Sequence, residues 1–387
     1  LLGRNDTILE LDDPRERRLR NYYGYSDKGQ RIERLFLSLQ RRGRQAKSRV
    51  VQNAISRVRH LIWKFGRNYR RRLASYFDMK LEGVDYIVID GAGLLEYRYN
   101  EYHWSLMLIS EYAEQHGLKV VYNAIGRAGA FDERDFGSTI LKRAIRSSAV
   151  EYVSARDNLE AVQACAGPNH KVKLLADSAF WMKEAYEIDT AVERQKIGIG
   201  LIRGNSLQGY GVEFGGKEWT TLFTGIARTL RKRGYEFEFF TNGLPGDVKL
   251  GQRVLKRLKL DDSYLVERPV DDRVLVDTIN HYQAIITCRM HSSIAAFTMN
   301  VPSVILSWND KVEYLMDIIG YPERAIKQRD FSPEFIVDAM ERALAEGIDP
   351  VKLDAMKTKA QESVDDYLEL IFNAQHRTQP ELPGVSR

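Results

Sequence analysis

From about residue 78 onward, short apolar runs alternate with stretches whose apolar positions recur every three or four residues. Asp85 to Asp90 (Asp-Tyr-Ile-Val-Ile-Asp) reads as a buried strand running into the Gly91-Ala92-Gly93 turn. Ser105 to His116 is expected to be helical, Leu118 to Asn123 a strand and Arg134 to Ser147 a helix. Val150 to Ser154 then reads as a strand, Asp157 to Ala166 as a helix and Val172 to Ala176 as a short strand. Parallel neighbours need a crossover, so strands spaced by helical stretches of this length predict a parallel, doubly wound sheet.

The polar stretch Lys183 to Gln195 breaks the alternation and reads as an interdomain linker. A second series follows. Ile197 to Ile202 is a strand ending in Arg203-Gly204-Asn205, and Trp219 to Arg233 is a helix. Glu236 to Thr241 is a strand ending in Asn242-Gly243, followed by a helix through Lys256, and Asp271 to Tyr282 is helical. Leu353 to Gln375 is a long terminal helix. The chain thus divides into a basic, largely helical segment (1–77), a first Rossmann-like domain (78–185), a second (186–348), a C-terminal helix (349–376) and a flexible, proline-containing tail (377–387). The expected fold is α/β, two doubly wound domains in a GT-B-like arrangement with a central cleft.

One crossover carries more chemistry than the others. The apolar strand Ala284 to Thr287 ends on Arg289-Met290-His291, a small-residue helix runs from Ser292 to Met299, and Asn300 precedes the strand Val301 to Leu306. Ligands of open α/β sheets bind at the carboxyl ends of the strands. A helix starting near Ser292 would aim its free N–H groups and positive dipole end at the same place. An arginine, a histidine and a helix N-terminus together make an anion site.

Composition narrows the classes. A chain of 387 residues with 44% hydrophobic and 29% charged residues is ordinary for a soluble enzyme of two domains. No apolar run approaches the ~18 residues a membrane span needs. Arg4, Asp6 and Glu10 at the start do not read as a secretory signal. Cys165 and Cys288 are the only cysteines, too few for a disulfide framework or a cysteine zinc site, which fits a reducing cytosol.

The net charge of +5 is unevenly spread: from Arg34 to Phe77 there is no Asp or Glu. Val51, Ile55, Val58, Ile62, Phe65 and Tyr69 would form one apolar helix face, with arginines and lysines elsewhere. Such a helix either packs against a domain or lies on an anionic membrane surface. Nucleic acid is disfavoured, because no recognition motif accompanies the charge.

Among the other candidates, Gly91 and Gly93 form a tight turn after a strand, without the third glycine of a dinucleotide fingerprint. Arg156-Asp157 opens a helix after a strand; Arg156 is placed to clamp an anion and Asp157 to cap the helix. Arg203 and Asn205 also follow a strand end, as does Asn242. Of seven histidines only His291 sits at a strand end beside an arginine. No metal-ligand spacing occurs, so no metal site is expected.

Arg289-Met290-His291-Ser292, the following small-residue helix, Val301-Pro302 and Trp308-Asn-Asp-Lys311-Val-Glu313 resemble the polysaccharide pyruvyl transferase family. Gly91-Ala-Gly93, Ser154-Ala-Arg156-Asp157 and Ala176-Asp177-Ser-Ala-Phe180 are similar to further signatures of that family, whereas its amino-terminal signature is not evident. The resemblance implies a metal-independent transferase that moves the enolpyruvyl unit of phosphoenolpyruvate onto a sugar of a cell-surface polysaccharide or its precursor, as a ketal. It implies His291 and Arg289 as catalytic residues, and Arg156, Arg289, His291, Ser292 and Lys311 as donor ligands. Gly91, Gly93, Arg203, Asn205, Asn242 and Glu313 would line the acceptor side or cleft. No cofactor beyond the co-substrate is expected. The location would be cytoplasmic, with residues 34–77 touching the membrane face where lipid-linked glycans are assembled. Two other readings stand beside this one. A nucleotide-sugar glycosyltransferase of the same architecture would use Arg289 and His291 for a diphosphate and Glu313 for a ribose. A non-catalytic polyanion- or membrane-binding protein would rest on residues 34–77.

Overall fold

The structure, a computed structural model, describes residues 50, 53–54, 57–58, 61, 77–78, 80–91, 93–95, 103–127, 135–202, 214–243 and 245–378. Most of the basic segment, Arg203, Asn205 and the expected tail from residue 379 lie outside these. The chain forms two compact units, residues 1–174 with 366–387, and residues 175–365.

The first unit is built on a parallel sheet in the order β1 (Tyr86–Asp90), β2 (Lys119–Ile125), β3 (Val150–Ala155) and β4 (Lys173–Leu174). Its helices are α1 (His103–His116), α2 (Phe136–Ile145) and α3 (Leu159–Ala166). The central strand β2 is buried in all but its first residue, so its sequence is a near-continuous apolar run. Asn123 is the exception and is hydrogen-bonded inside at both ends of its amide: its Nδ2 donates to Asp90 at 2.8 Å, and its Oδ1 accepts from the Ser154 hydroxyl at 3.0 Å. The core gathers Leu106, Ala113, Tyr122, Leu141, Ile145, Val153 and Val162.

Most elements begin or end within one or two residues of expectation, and two boundaries have a clear physical reason or bear on the site. The helix expected from Asp157 begins at Leu159, because Asn158 takes the left-handed conformation (φ 48°). Asp157 is therefore not its cap; its carboxylate accepts the Arg127 backbone N–H at 2.6 Å instead. The short strand expected over 172–176 narrows to Lys173–Leu174. Residues 53, 57 and 58 of the basic segment are helical. Asn53 donates to Asp135 and accepts the Phe136 N–H, both at 3.0 Å, while the Arg57 guanidinium lies over the Phe136 ring. An amide from a distant helix thus caps α2, whose own Asp135 makes no side-chain cap. Val58, assigned to the apolar face, is 43% exposed.

The second unit holds a parallel sheet in the order β6-β5-β7-β8-β9. Its strands are β5 (Lys196–Leu201), β6 (Phe237–Thr241), β7 (Tyr282–Thr287), β8 (Ser303–Leu306) and β9 (Ala325–Ile326). Its helices are α4 (Met182–Ala185), α5 (Gly216–Lys232), α6 (Pro245–Leu258), α7 (Asp272–Asn280), α8 (Met290–Thr298), α9 (Asp310–Ile318), α10 (Pro333–Glu346) and most of α11 (Pro350–Thr378). Tyr282, expected to end a helix, opens β7 because its side chain is buried against the ring of Phe240. The polar stretch 183–195 lies inside this unit, which opens at Leu175.

The strand order fixes where a ligand would bind. From β5 the chain winds outward to β6, then returns to the far side of β5 to make β7, so β5 and β7 flank a topological switch point. The register there depends on Gly200. A Cβ on it would come within 2.7 Å of the Thr287 hydroxyl and 2.8 Å of the Phe240 ring. The missing side chain leaves room for Thr287, whose Oγ1 accepts the Arg289 backbone N–H at 3.1 Å.

Candidate functional site

Arg289 and His291 stand at the carboxyl end of β7, on the switch point. Arg289 is the N-cap residue of α8 in extended conformation (φ −104°, ψ 121°), and its carbonyl accepts the Ser293 N–H. The following N–H groups lack partners within the helix, as at any helix start. Every residue of α8 is buried except His291, whose side chain is 50% exposed. A nine-residue helix packed on nearly all sides therefore offers one imidazole outward, at its positive end.

Three contacts organise these residues. The Arg289 Nη2 donates to Asp247 Oδ2 at 2.6 Å; Asp247, in the first turn of α6, is fully buried. The Ser292 hydroxyl, itself buried, donates to Asn242 Oδ1 at 3.0 Å. The His291 Nε2 lies 3.7 Å from Asp177 Oδ2. The ends of β6 and β7 and the start of α6 thus converge, each held by a short polar contact.

Trp308, after β8, donates its indole N–H to the Cys288 carbonyl at 2.8 Å, pinning the loop that carries Arg289. Asn309 caps α9 by accepting the Val312 N–H. Lys311 lies half-buried in the first turn of that helix. Glu313 accepts the Ser307 hydroxyl at 3.0 Å and pairs with Lys327 at 3.2 Å, so its carboxylate is shared between two partners.

Cys288 touches this constellation through the backbone. Burial pushes its thiol far up, against the smaller opposing pull of the Arg289 charge. It is a packed hydrophobe, not a thiolate beside an arginine.

Arg203 and Asn205 lie outside the described residues, and the other candidates, Gly91, Gly93 and Arg156, belong to the first unit. Gly91 follows β1 with φ +65°, and a Cβ on it would stand 3.6 Å from Arg156 Nη1. The turn and the arginine are therefore neighbours at the carboxyl edge of that sheet. Arg156 is 5% exposed, and its Nε lies 3.9 Å from Asp157. Gly93 follows, half-buried.

Asp247 was not singled out in the sequence. Asp247, Leu250 and Val254 share a helix face by spacing and are all buried, so an acid on an apolar face was the available signal. Asp177 lies in the Ala176–Phe180 run, where its position after a short strand gives no local sign of a histidine partner. Among the described residues no group of three or more His, Cys, Asp or Glu is placed to hold a metal ion.

The fold and the sequence each match known proteins. Solved structures of UDP-GlcNAc 2-epimerases are similar in fold, which places the chain in the GT-B class. The enzyme from Methanocaldococcus jannaschii is 14% identical, with 78% of this chain and 82% of that one covered and a TM-score of 0.52. A second UDP-N-acetylglucosamine 2-epimerase is 10% identical, with 82% and 81% covered and a TM-score of 0.50. At these identities the likeness is one of fold alone. No curated protein matches the chain. The family model described as polysaccharide pyruvyl transferase matches residues 5–310. The chain belongs to the polysaccharide pyruvyl transferase family.

Proposed function

We propose that the protein transfers the enolpyruvyl unit of phosphoenolpyruvate to two hydroxyls of a sugar in a polysaccharide or its precursor, releasing phosphate and leaving a pyruvate ketal. The observation that carries this reading is the pairing of Arg289 with an outward-facing His291 at the switch point of the second sheet. The donor bears a phosphate and a carboxylate on one carbon skeleton. The N-terminus of α8 and the guanidinium N–H groups not given to Asp247 suit such an anion.

The chemistry asks for one mobile proton. Transfer of a proton from the imidazolium to C3 uses the double-bond electrons to form a methyl group, leaving C2 cation-like. A sugar hydroxyl adds to C2 and gives up its proton. The C2–O bond to phosphate breaks with its electron pair on oxygen, and a second hydroxyl closes the ketal as its proton passes to the leaving phosphate. Imidazole suits transfer in both directions near neutral pH. The donor charge is met by arginine and helix N–H groups, so turnover needs no divalent cation.

The test is direct. Purified protein is incubated with phosphoenolpyruvate and free or lipid-linked sugar acceptors, with and without EDTA. Phosphate release matched by an acceptor gaining a pyruvylidene group, unaffected by chelator, is the expected result. His291→Ala should lower kcat by about two orders of magnitude. Release of a nucleoside diphosphate from a nucleotide sugar, with no phosphoenolpyruvate consumed, would replace this reading with glycosyl transfer.

A further inference from the structure

The segment Ala176-Asp177-Ser178-Ala179-Phe180 lies just beyond β4 and opens the second unit. Its geometry has one evident product. Phe180, 1% exposed, packs edge-on against Phe297 of α8 with ring centroids 6.0 Å apart, and Ala176 joins the same core cluster. Between these two anchors Asp177 splits its carboxylate. Oδ1 accepts the Ala179 N–H at 3.0 Å and caps the short turn Ser178–Trp181, while Oδ2 faces His291 Nε2 at 3.7 Å.

Asp177 is 6% exposed and is the one ionisable group within ion-pair distance of His291 among the described residues. Neighbouring charges are directed elsewhere: Arg289 to Asp247, and Glu184 of α4 to Lys357. Strands β7 and β8 carry no charged residue.

We propose that Asp177 is the positioning residue of His291. Its carboxylate, 3.7 Å from Nε2, holds the proton on that nitrogen by charge attraction, fixing the ring's orientation and tautomer, so that Nδ1 is the nitrogen presented to the substrate. The inference rests on the proposed pyruvyl transfer and gives it a directional proton path. Nδ1–H delivers its proton to C3 of the donor, and the emptied Nδ1 takes the proton of the first attacking hydroxyl. Nε2–H stays with Asp177 throughout, and the carboxylate is never protonated. Each arm of the segment then has a use: the alanine and phenylalanine fasten it to α8, and the aspartate reads the imidazole.

The diagnostic variant is Asp177→Asn, which keeps a cap acceptor and the side-chain size while removing the charge. Asp177→Ser, a second capping residue, serves if the asparagine variant is unstable. Two measurements are made on each. Nitrogen-15 NMR of the histidine rings, with His291 assigned by its absence from His291→Gln, should show the Nε2–H tautomer in the unmodified protein and a loss of that preference in the variants. Steady-state kinetics should show kcat reduced by about one to two orders of magnitude, with KM for phosphoenolpyruvate within about twofold. Restoring the carboxylate on a longer stem, in Asp177→Glu, should recover part of the kcat. A neutral wild-type ring carrying its proton on Nδ1 and none on Nε2, or a variant with unchanged tautomer and kcat, overturns the proposal. Failure of the wild-type protein to consume phosphoenolpyruvate while the tautomer shift is present would remove the pyruvyl reading and leave the Asp177–His291 pairing in place.

Discussion

Asp247, with no solvent exposure, accepts a 2.6 Å hydrogen bond from the Arg289 guanidinium, which is one-quarter exposed. The arginine at the candidate site is therefore half of an ion pair whose other half lies in the core. Its two tasks, presenting N–H groups outward and neutralising a buried carboxylate inward, cannot be separated by a single substitution.

Arg289→Ala is expected to destabilise the protein as well as inactivate it. Breaking a buried ion pair by removing one of its members costs about 3 kcal/mol or more. Asp247→Ala should also destabilise, by less because Arg289 reaches solvent, and the double variant should lose less than the sum of the two, because the pair is broken only once. Urea unfolding of the three variants measures this, and additive losses would show the pair is not coupled. Pyruvyl transfer should be absent in all three.

Cys288, next in sequence to Arg289, is expected to be chemically silent. Its thiol is fully buried and pushed up by burial, so the thiolate that alkylating reagents require is not populated in the folded state. Cys165 is buried as well. Thiol titration of the native protein should find neither group, and titration in denaturant both. Rapid modification of native Cys288 would mean that the loop pinned by Trp308 opens.

The cap that Asn53 places on α2 should be measurable. Asn53→Ala removes the acceptor of the Phe136 N–H and is expected to lower stability by about 1 kcal/mol. Thermal unfolding against the parent protein gives the value. No loss would mean that water serves the helix end equally well.

The acid-free segment 34–77 supports a membrane prediction that rests on sequence. Among the described residues no helix is long and apolar enough to cross a membrane. Each Lys or Arg near an anionic surface contributes on the order of 1 kcal/mol, falling off within about 10 Å in physiological salt. Co-sedimentation with anionic vesicles, weakened by salt and by changing Arg70, Arg71 and Arg72 to Glu, is expected. Equal binding to neutral vesicles, or none to either, would leave packing against the first unit as the segment's role.

The alternation of apolar runs and helical stretches made the two parallel sheets legible, because crossover spacing and strand burial both write themselves into residue order. The site was legible where chemistry and position coincide in one short run, as in Arg289-Met290-His291. It was not legible where partners arrive from distant turns. Nothing local ties Asp247 to Arg289 across 42 residues, and only the folded sheet brings the start of α6 to the end of β7. Asp157 shows the converse: a sequence position typical of a helix cap was taken by a backbone N–H from another strand's end, because Asn158 adopted the left-handed turn.

Helix α11 begins in the second unit and, from Asp366 onward, belongs to the first. There Asp366 accepts from Tyr152 at 2.9 Å and from Lys173 at 2.7 Å, and Tyr367 is driven up to about 12 by burial and by the nearby Asp90 carboxylate. The order of synthesis is consequently the reverse of the order of completion. A ribosome delivers nearly all of the first unit early, but that unit waits for its closing contacts until the stretch from Asp366 emerges, by which time the second unit has its whole sequence in hand. A shortened protein ending near residue 365 would keep every named candidate residue and still lack the piece that finishes the domain made first.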